Sequence, residues 1–246
     1  MSVAVEAKKL TKKYKNKTAV DGISLQVEEG ELFALLGVNG AGKTTTIRMF
    51  AGLSTPTEGE AYINGKNCRE ELSSVKAEIG ISTQDTAVAE NLTVRENLEF
   101  IARVYGFDNH KVKERADDMV ALFKMGEVEN SRAKTLSGGW KRKLSIAMAL
   151  ISEPKVLFLD EPTLGLDVLA RRELWRAIEA LKGKITILLT THYMEEAEAL
   201  SDRIAIMLDG RVVACGTLTE LEQLSGKAGL ENVFIEIAER NGEGNA

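Results

Sequence analysis

Glycine, lysine and threonine stand close together near the start of the chain, at a spacing that suits phosphate chemistry. Four residues separate Gly37 from Gly42, and Lys43 and Thr44 follow directly. Glycines allow backbone N–H groups to turn inward around a phosphate, and a lysine ammonium at this spacing reaches the outer phosphates of a nucleotide. The Thr44 hydroxyl is a ligand that Mg²⁺ accepts. The spacing therefore predicts a phosphate-binding loop over residues 37–44.

An acidic segment in the second half of the chain complements this loop. The apolar run from Val156 to Leu159 is followed by Asp160 and Glu161. A carboxylate at the carboxyl end of a buried strand lies where open α/β sheets place their ligands. Adjacent side chains point in different directions, so we expect Asp160 to face a metal ion and Glu161 to face an attacking water. Two acids after a strand also occur as an ordinary strand end, an interpretation that the upstream loop weakens.

A helix start rich in small residues is a second candidate anion site. Ser137 precedes Gly138 and Gly139, and a helical pattern continues to Leu150. A serine N-cap followed by glycines leaves backbone N–H donors accessible at the positive end of a helix dipole. An ordinary helix start has the same residues, so this segment alone leaves both interpretations open.

Strand and helix patterns indicate which elements position these groups. The run Leu32–Leu36 predicts a buried strand before the loop, and a helix is predicted from Lys43 onward. The first eighty or so residues are otherwise strand-rich around this single helix. Further strand character is found at residues 3–10, 23–27, 60–64 and 79–82.

The chain becomes helical after Gln84. Thr93 is a predicted N-cap with Glu96 three residues on, the pattern of a capping box. Helices are predicted at residues 93–105, 110–123 and 138–150, which makes residues 85–152 a helical insert. Strands then alternate with helices, which indicates a parallel sheet with crossover helices. The strands are predicted at 156–160, 185–189 and 203–208, and the helices at 169–181 and 194–200.

Composition limits the class of function. The net charge of −5 and the pI near 5.4 exclude a global basic field for nucleic acid, and they disfavour direct binding to anionic lipid. No apolar run is long enough to span a membrane, and the N-terminus lacks the apolar core of a signal peptide. The cysteines, Cys68 and Cys215, have no metal-like spacing and favour a reducing compartment. We therefore expect a cytosolic chain that reaches any membrane through a protein partner.

Together the motifs resemble the nucleotide-binding subunit of ATP-binding cassette (ABC) transporters. The resemblance covers residues 3–220, and the tetrapeptide Leu136–Gly139 with Asp160-Glu161-Pro162 is specific to that superfamily among phosphate-loop proteins. It implies an α/β fold: a phosphate-loop NTPase core with a mostly parallel sheet, an N-terminal antiparallel β subdomain and an inserted α-helical subdomain. The matching motifs are Gly37–Thr44, Gln84, Leu136–Gly139, Leu159–Pro162, Gly165–Asp167 and His192.

The resemblance also implies how the two anion sites are used. In such proteins two cassettes pack head to tail, and each ATP lies between the phosphate loop of one cassette and the Ser137-Gly138 segment of the other. ATP and Mg²⁺ are the implied cofactors. Tyr14 is expected to stack on adenine, His192 to hold the γ-phosphate, and Asp167 to cross the dimer interface.

Three sets of site residues follow from this resemblance. The catalytic set is Lys43, Gln84, Glu161 and His192. The nucleotide-binding set is Tyr14, Gly37, Val38, Asn39, Gly40, Ala41, Gly42, Lys43, Thr44, Thr45, Ser137, Gly138, Gly139 and Asp167. The metal-binding set is Thr44, Gln84 and Asp160.

Residues 188–198, 216–218 and 230–236 resemble the cassettes of bacterial exporters for drugs, sodium or surface polysaccharide. The expected partners are a transmembrane permease subunit and a second cassette as a homodimer, with no nucleic acid. The expected location is the cytoplasmic face of the cell membrane. We expect an ATP-binding domain at 1–225, its helical subdomain at about 85–152, and a short C-terminal extension at 226–246.

Two residues depart from the family pattern. Trp140 stands where glutamine is commonest, and Leu164 where a small residue is commoner.

A cassette ATPase acting on ribosomes or DNA usually has two cassettes or a long coiled-coil insertion, and this chain has neither. A GTPase needs an Asn-Lys-x-Asp segment, which the chain lacks, and a small-molecule kinase does not explain Ser137-Gly138. A nucleotide-binding regulatory protein without hydrolysis stays open.

Overall fold

The computed structural model describes residues 2–243 of the 246-residue chain. The strands are β1 (Val3–Tyr14), β2 (Lys17–Glu28), β3 (Leu32–Leu36), β4 (Glu58–Ile63), β5 (Lys66–Asn67), β6 (Ile79–Ser82), β7 (Val156–Asp160), β8 (Thr186–Thr191), β9 (Arg203–Leu208) and β10 (Arg211–Gly216). The α-helices are α1 (Lys43–Phe50), α2 (Leu72–Lys76), α3 (Val94–Val104), α4 (Asn109–Leu122), α5 (Gly138–Leu150), α6 (Val168–Glu179), α7 (Met194–Leu200), α8 (Leu218–Ser225) and α9 (Leu230–Glu243).

These elements form two compact units. The second unit is the continuous segment Ala77–Leu181, and the first unit consists of the described residues before and after it. The helical insert predicted at 85–152 lies wholly within the second unit.

An antiparallel sheet forms one part of the first unit, with strand order β2-β1-β4-β5. This confirms the predicted N-terminal antiparallel subdomain. Strands β1 and β2 are longer than the predicted 3–10 and 23–27, because cross-strand pairing continues through their lysine-rich ends as far as Tyr14 and Lys17. A two-residue turn, Lys15-Asn16, joins the two strands.

A mostly parallel sheet forms the other part of the first unit. Strand β3 pairs in parallel with β8 on one side and with β9 on the other, and β10 pairs antiparallel with β9. Every residue of β3 and β8 is buried, as parallel strands covered on both faces require. Strand β8 continues to Thr191 instead of the predicted Leu189, because Thr191 pairs with Leu36 in register. The predicted α/β class is confirmed, and β3 and β8 end side by side.

Helix α9 occupies most of the segment expected to be a short extension. Its apolar residues Val233, Phe234 and Ile237 are buried. Its first residue, Leu230, donates its backbone N–H to Glu198 on α7, with an N to Oε2 distance of 3.4 Å. The last three residues, 244–246, lie outside the described part of the chain.

The second unit combines a parallel strand pair with the inserted helices. Strand β6 pairs with β7 so that Ser82 lies opposite Leu159, and helices α3, α4 and α5 lie between these strands in sequence. Helix α3 has the predicted capping box, in which Thr93 and Glu96 each accept a backbone N–H of the other. Helix α5 begins at Gly138 and ends at Leu150, as predicted.

Packing between α5 and β6 depends on a glycine. A Cβ added to Gly80 would overlap the backbone oxygen of Ala149 and lie 3.1 Å from Cγ of Pro154. The close approach of strand and helix is therefore possible only without a side chain at this position.

Gly80→Ala should lower the free energy of unfolding by about 1–3 kcal/mol, because the added methyl group forces the helix away from the strand. Thermal or urea unfolding of the purified chain measures this change. Gly126→Ala is the matched control, since a Cβ there meets no atom within 4 Å and the backbone is not left-handed. Equal stability of the two variants would contradict the packing argument.

Candidate nucleotide-binding site

The phosphate loop lies between two buried elements of the first unit. Strand β3 ends at Leu36, and α1 begins at Lys43 after Gly42, whose φ of 106° is left-handed. A Cβ on Gly37 would overlap the backbone oxygen of Met207, and a Cβ on Gly42 would overlap that of Ala19. A side chain at either position would therefore clash with neighbouring backbone, and at Gly42 the left-handed conformation also requires glycine.

Lys43 is held in position before any ligand arrives. Its side chain is only 4% exposed, and its ammonium donates to the backbone oxygens of Gly37 at 2.8 Å and Val38 at 3.1 Å. An ammonium fixed inside the loop needs little reorganisation to meet an anion.

The rest of the predicted loop forms an accessible rim and a helix start. Val38, Asn39 and Gly40 are exposed, whereas Ala41 is buried. Thr44 and Thr45 lie in the first turn of α1, where backbone N–H groups lack intrahelical partners. Such a turn is suited to receive phosphate oxygens.

His192 lies at the same sheet edge as the loop. It directly follows Thr191, the last residue of β8, whose backbone oxygen accepts the N–H of Gly37 at 3.2 Å. The imidazole is half-buried and its centroid lies 4.1 Å from that of Tyr193. Pairing of β3 with β8 therefore brings His192 to the start of the phosphate loop.

Tyr14 is available as an aromatic platform in the first unit. It is the last residue of β1 and is 49% exposed. The Lys12 ammonium lies 5.2 Å from the ring centroid. An exposed ring at a strand end can stack on a planar base.

The two predicted acids lie at the end of β7 in the second unit. Asp160 is the last strand residue and is 3% exposed, and the following Glu161 is 8% exposed. Glu161 has a φ of 48°, a left-handed conformation that few residues other than glycine adopt. The backbone therefore changes direction sharply at Glu161, directly after the end of β7.

Gln84 lies at the carboxyl edge of the same strand pair. It follows β6 by two residues, and the pairing of β6 with β7 sets it on the edge that Asp160 occupies. Arg142 on α5 donates to the backbone oxygens of Thr83 at 2.7 Å and Gln84 at 2.5 Å. Sequence analysis missed this role of Arg142, because the guanidinium reaches residues almost sixty positions away.

The second candidate anion site is an accessible helix start. Ser137 caps α5 and accepts the backbone N–H of Trp140, with an N to Oγ distance of 3.5 Å. A Cβ on Gly138 would meet nothing within 4 Å, so the space beside these N–H groups is open. Gly139 approaches α6, where a Cβ would lie 3.1 Å from Cβ of Ala170.

Trp140 has a fixed position beside this helix start. The Lys143 ammonium lies 4.2 Å from its ring centroid and 2.8 Å from Oε2 of Glu173. The hydrogen bond from Lys143 lowers the pKa of the Glu173 carboxyl below its ordinary value. The indole is thus held by a cation–π contact whose cation is itself held by a carboxylate.

Asp167 has a structural role that its predicted nucleotide role did not include. It is the N-cap of α6, and its Oδ1 accepts the backbone N–H groups of Leu169 and Ala170, both at 2.9 Å. Its exposure leaves the residue accessible to a partner.

The predicted residues thus fall into two groups, one in each unit. The first unit contains Tyr14, and it brings the loop residues 37–45 and His192 to the same sheet edge. The second unit brings together Gln84, Asp160 and Glu161 at one strand edge, and it contains the helix starts at Ser137–Gly139 and Asp167.

Comparison with known proteins decides the family. The model of the ABC transporter family matches residues 20–164. The daunorubicin/doxorubicin resistance ATP-binding protein DrrA of Streptomyces peucetius is 42% identical over 224 residues, which are 91% of this chain and 68% of DrrA. The chain belongs to the ABC transporter ATP-binding family. Cassettes of this family are ATPases.

Two further matches agree with an ABC cassette. The phospholipid-transporting ATPase ABCA3 of Homo sapiens is 43% identical over 212 residues. These residues are 86% of this chain but only 12% of that relative. A dimeric structure of the ATP-binding cassette MJ0796, in a post-hydrolysis state bound to ADP and Pi, has a TM-score of 0.79 at 27% identity. That match covers 87% of this chain and 98% of the other. Among the described residues, no helix of the cassette has the length and apolar character to cross a bilayer.

Lys43→Met should weaken MgATP binding to the cassette by about 100-fold, because it removes a buried ammonium from the phosphate loop while keeping the apolar stem. Titration calorimetry or a fluorescent nucleotide measures the affinity. The control is Lys113→Met, which removes an exposed lysine of α4 in the second unit and should bind as the parent chain does. Parent-like affinity of Lys43→Met would contradict the assigned site.

Proposed function

We propose that this cassette binds and hydrolyses ATP as a subunit of an ABC transporter that exports its substrate through a separate transmembrane permease. One observation carries the proposal: the chain has two helix starts suited to phosphate, α1 behind the phosphate loop and α5 behind Ser137. One such helix start suffices for the nucleotide that the chain itself holds. The second is explained by a nucleotide that another cassette holds.

The working form in this proposal is a homodimer of cassettes. Each ATP is bound by the phosphate loop of one cassette and by Ser137, Gly138 and Gly139 of the other, with Asp167 contacting the partner across the interface. The dimeric structure of MJ0796 bound to ADP and Pi supports this arrangement. The accessible N–H groups at Gly138 can bind a phosphate of the nucleotide that the other cassette holds.

The remaining nucleotide contacts follow from the first unit. Tyr14 stacks on the adenine, and His192 binds the γ-phosphate from the end of β8. The backbone N–H groups and side chains of the loop hold the phosphate chain. The proposed loop contacts are Gly37, Val38, Asn39, Gly40, Ala41, Gly42, Lys43, Thr44 and Thr45.

Mg²⁺ is the metal ion that the proposed ligands fit. A Thr44 hydroxyl, a Gln84 amide and an Asp160 carboxylate are all hard oxygen donors, and Mg²⁺ takes few protein ligands beside phosphates and water. Within residues 2–243 there is no cluster of three or more His, Cys, Asp or Glu that could hold a metal by itself. When bound, the ion neutralises charge on the β- and γ-phosphates.

Glu161 performs the proton chemistry of hydrolysis in this proposal. Its carboxylate accepts a proton from a water whose oxygen attacks the γ-phosphorus, and the bond from that phosphorus to the bridging oxygen breaks. ADP leaves with the bridging oxygen, and the γ-phosphoryl group becomes inorganic phosphate. Lys43 and His192 stabilise the negative charge on the transferred group, and Gln84 helps to position the water.

Binding and hydrolysis act on the permease through the dimer. ATP closes the two cassettes because it contacts both, and hydrolysis removes that preference for the closed state. The cassette acts at the cytoplasmic face of the cell membrane through the permease. Its net charge of −5 disfavours binding to nucleic acid. We assign residues 1–225 to the ATP-binding domain, 85–152 to its helical subdomain and 226–246 to a C-terminal extension.

Glu161→Gln should keep MgATP binding but lower the rate of phosphate release by about 100-fold or more, because the amide cannot accept the proton of the water. The unhydrolysed nucleotide should then hold the cassettes together, so size-exclusion chromatography with MgATP should show a dimer. The double variant Lys43→Met, Glu161→Gln should stay monomeric, because it lacks the nucleotide. Rapid hydrolysis by Glu161→Gln would contradict the role of Glu161, and absence of hydrolysis in the parent chain would favour a regulatory nucleotide-binding protein.

Affinity purification of the tagged chain from its native cells in mild detergent should recover a transmembrane protein as the main partner. Mass spectrometry identifies that protein, and its identity names the class of cargo. The control is a mock purification from cells without the tag. Recovery of ribosomes or DNA-bound proteins in place of a membrane protein would overturn the transporter assignment.

A further inference from the structure

The start of β2 is fixed against the phosphate loop. A Cβ on Gly42 would overlap the backbone oxygen of Ala19 and lie 3.3 Å from Cγ2 of Val20. Gly210 links the two segments from the side: its N–H donates to the oxygen of Ala41 at 3.0 Å, and its oxygen accepts the N–H of Asp21 at 2.8 Å. All of these residues belong to the first unit, where the loop and the beginning of β2 pack directly against each other.

A second lysine reaches the loop from this position. Lys17 is the first residue of β2, and its Nζ lies 3.9 Å from the point where a Cβ on Gly40 would be. Gly40 is exposed and has a φ of 85°. The register of the β1–β2 ladder shifts between Lys12 and Lys13, so Ala19, whose backbone oxygen adjoins Gly42, lies opposite neither of them.

Lys17 differs from neighbouring lysines of the same hairpin in its contacts. Lys13 forms an ion pair with Glu58 at 2.7 Å, and Lys12 donates to the backbone oxygen of Thr55 at 2.7 Å. Within residues 2–243, Lys17 has no carboxylate at ion-pair distance. A charge without a protein counter-ion, placed over the rim of an anion-binding loop, favours an anionic ligand there.

The position of Lys17 also indicates which part of the ligand it meets. Lys17 lies directly opposite Tyr14 in the ladder, so the two side chains share one face of the hairpin. Tyr14 is the proposed platform for the base, whereas Lys43 is buried within the loop and serves the outer phosphates. The phosphates nearest the nucleoside lie between these groups.

Resting on the proposed function, we infer that Lys17 is a second cationic residue of the nucleotide site, which binds the α- and β-phosphates that ATP and ADP share. It contributes to affinity and not to the chemical step, because the α- and β-phosphates remain together in ADP. A lysine acting in this way lowers the dissociation constants of both nucleotides by the same factor.

Lys17→Met tests this inference in the full 246-residue chain. Titration calorimetry should give dissociation constants for MgATP and MgADP that are both about fivefold higher than in the parent chain, the effect of an exposed charge pair. The kcat for phosphate release at saturating MgATP should be unchanged. Lys15→Met is the matched control, because Lys15 is an exposed lysine in the adjoining turn and its removal changes the net charge equally.

Two further measurements separate a phosphate contact from a change in folding. Lys17→Arg should restore most of the affinity, since a guanidinium also binds phosphate. The affinity of Lys17→Met should depend less on KCl concentration than that of the parent chain, because one ionic contact is missing. Lys17 is exposed, so the melting temperatures of all three variants should equal that of the parent.

Equal affinities of Lys17→Met and Lys15→Met for both nucleotides would overturn the inference. So would a loss confined to MgATP, which would assign Lys17 to the γ-phosphate. In both cases a parent chain that hydrolyses ATP leaves the proposed function intact. A parent chain that fails to bind MgATP would instead overturn the proposed function.

Discussion

Backbone crowding around the phosphate loop is the constraint on which the rest of the first unit depends. Gly37 lies against the backbone of Met207 on β9, and Gly42 lies against that of Ala19 on β2. The loop is also tied to β8 through the oxygen of Thr191. Three strands thus fix the loop through its backbone, and Lys17, Lys43 and His192 lie on the segments that these contacts join.

In the second unit, side chains of α5 hold strand β6 and the segment after it in place. Arg142 on α5 holds the segment after β6 by two hydrogen bonds to backbone oxygens, and Ser145 on the same helix contacts Ser82 at 2.9 Å. Because α5 also begins with the glycines of the second candidate anion site, one helix links that segment to Gln84. A change in the position of α5 would therefore reach both groups at once.

Much of this could be predicted from the sequence, because many elements have local signals. The capping box of Thr93 and Glu96 marks the start of α3. The helical pattern from Gly138 to Leu150 predicts both ends of α5 correctly. The long ends of β1 and β2 could not be predicted, since lysine-rich segments form strands only when a partner strand pairs with them. Lys17 and Arg142 were missed for the same reason: their roles depend on contacts distant in sequence.

The backbone at Glu161 has a consequence for how the protein tolerates change. A non-glycine residue at a φ of 48° costs about 1 kcal/mol or more in conformational strain. Glycine would relieve that strain but would provide no carboxylate, and valine or isoleucine would increase it. With the catalytic role proposed for Glu161, selection for stability and selection for catalysis act in opposite directions at this position. Substitutions there are confined to residues that tolerate a left-handed backbone conformation.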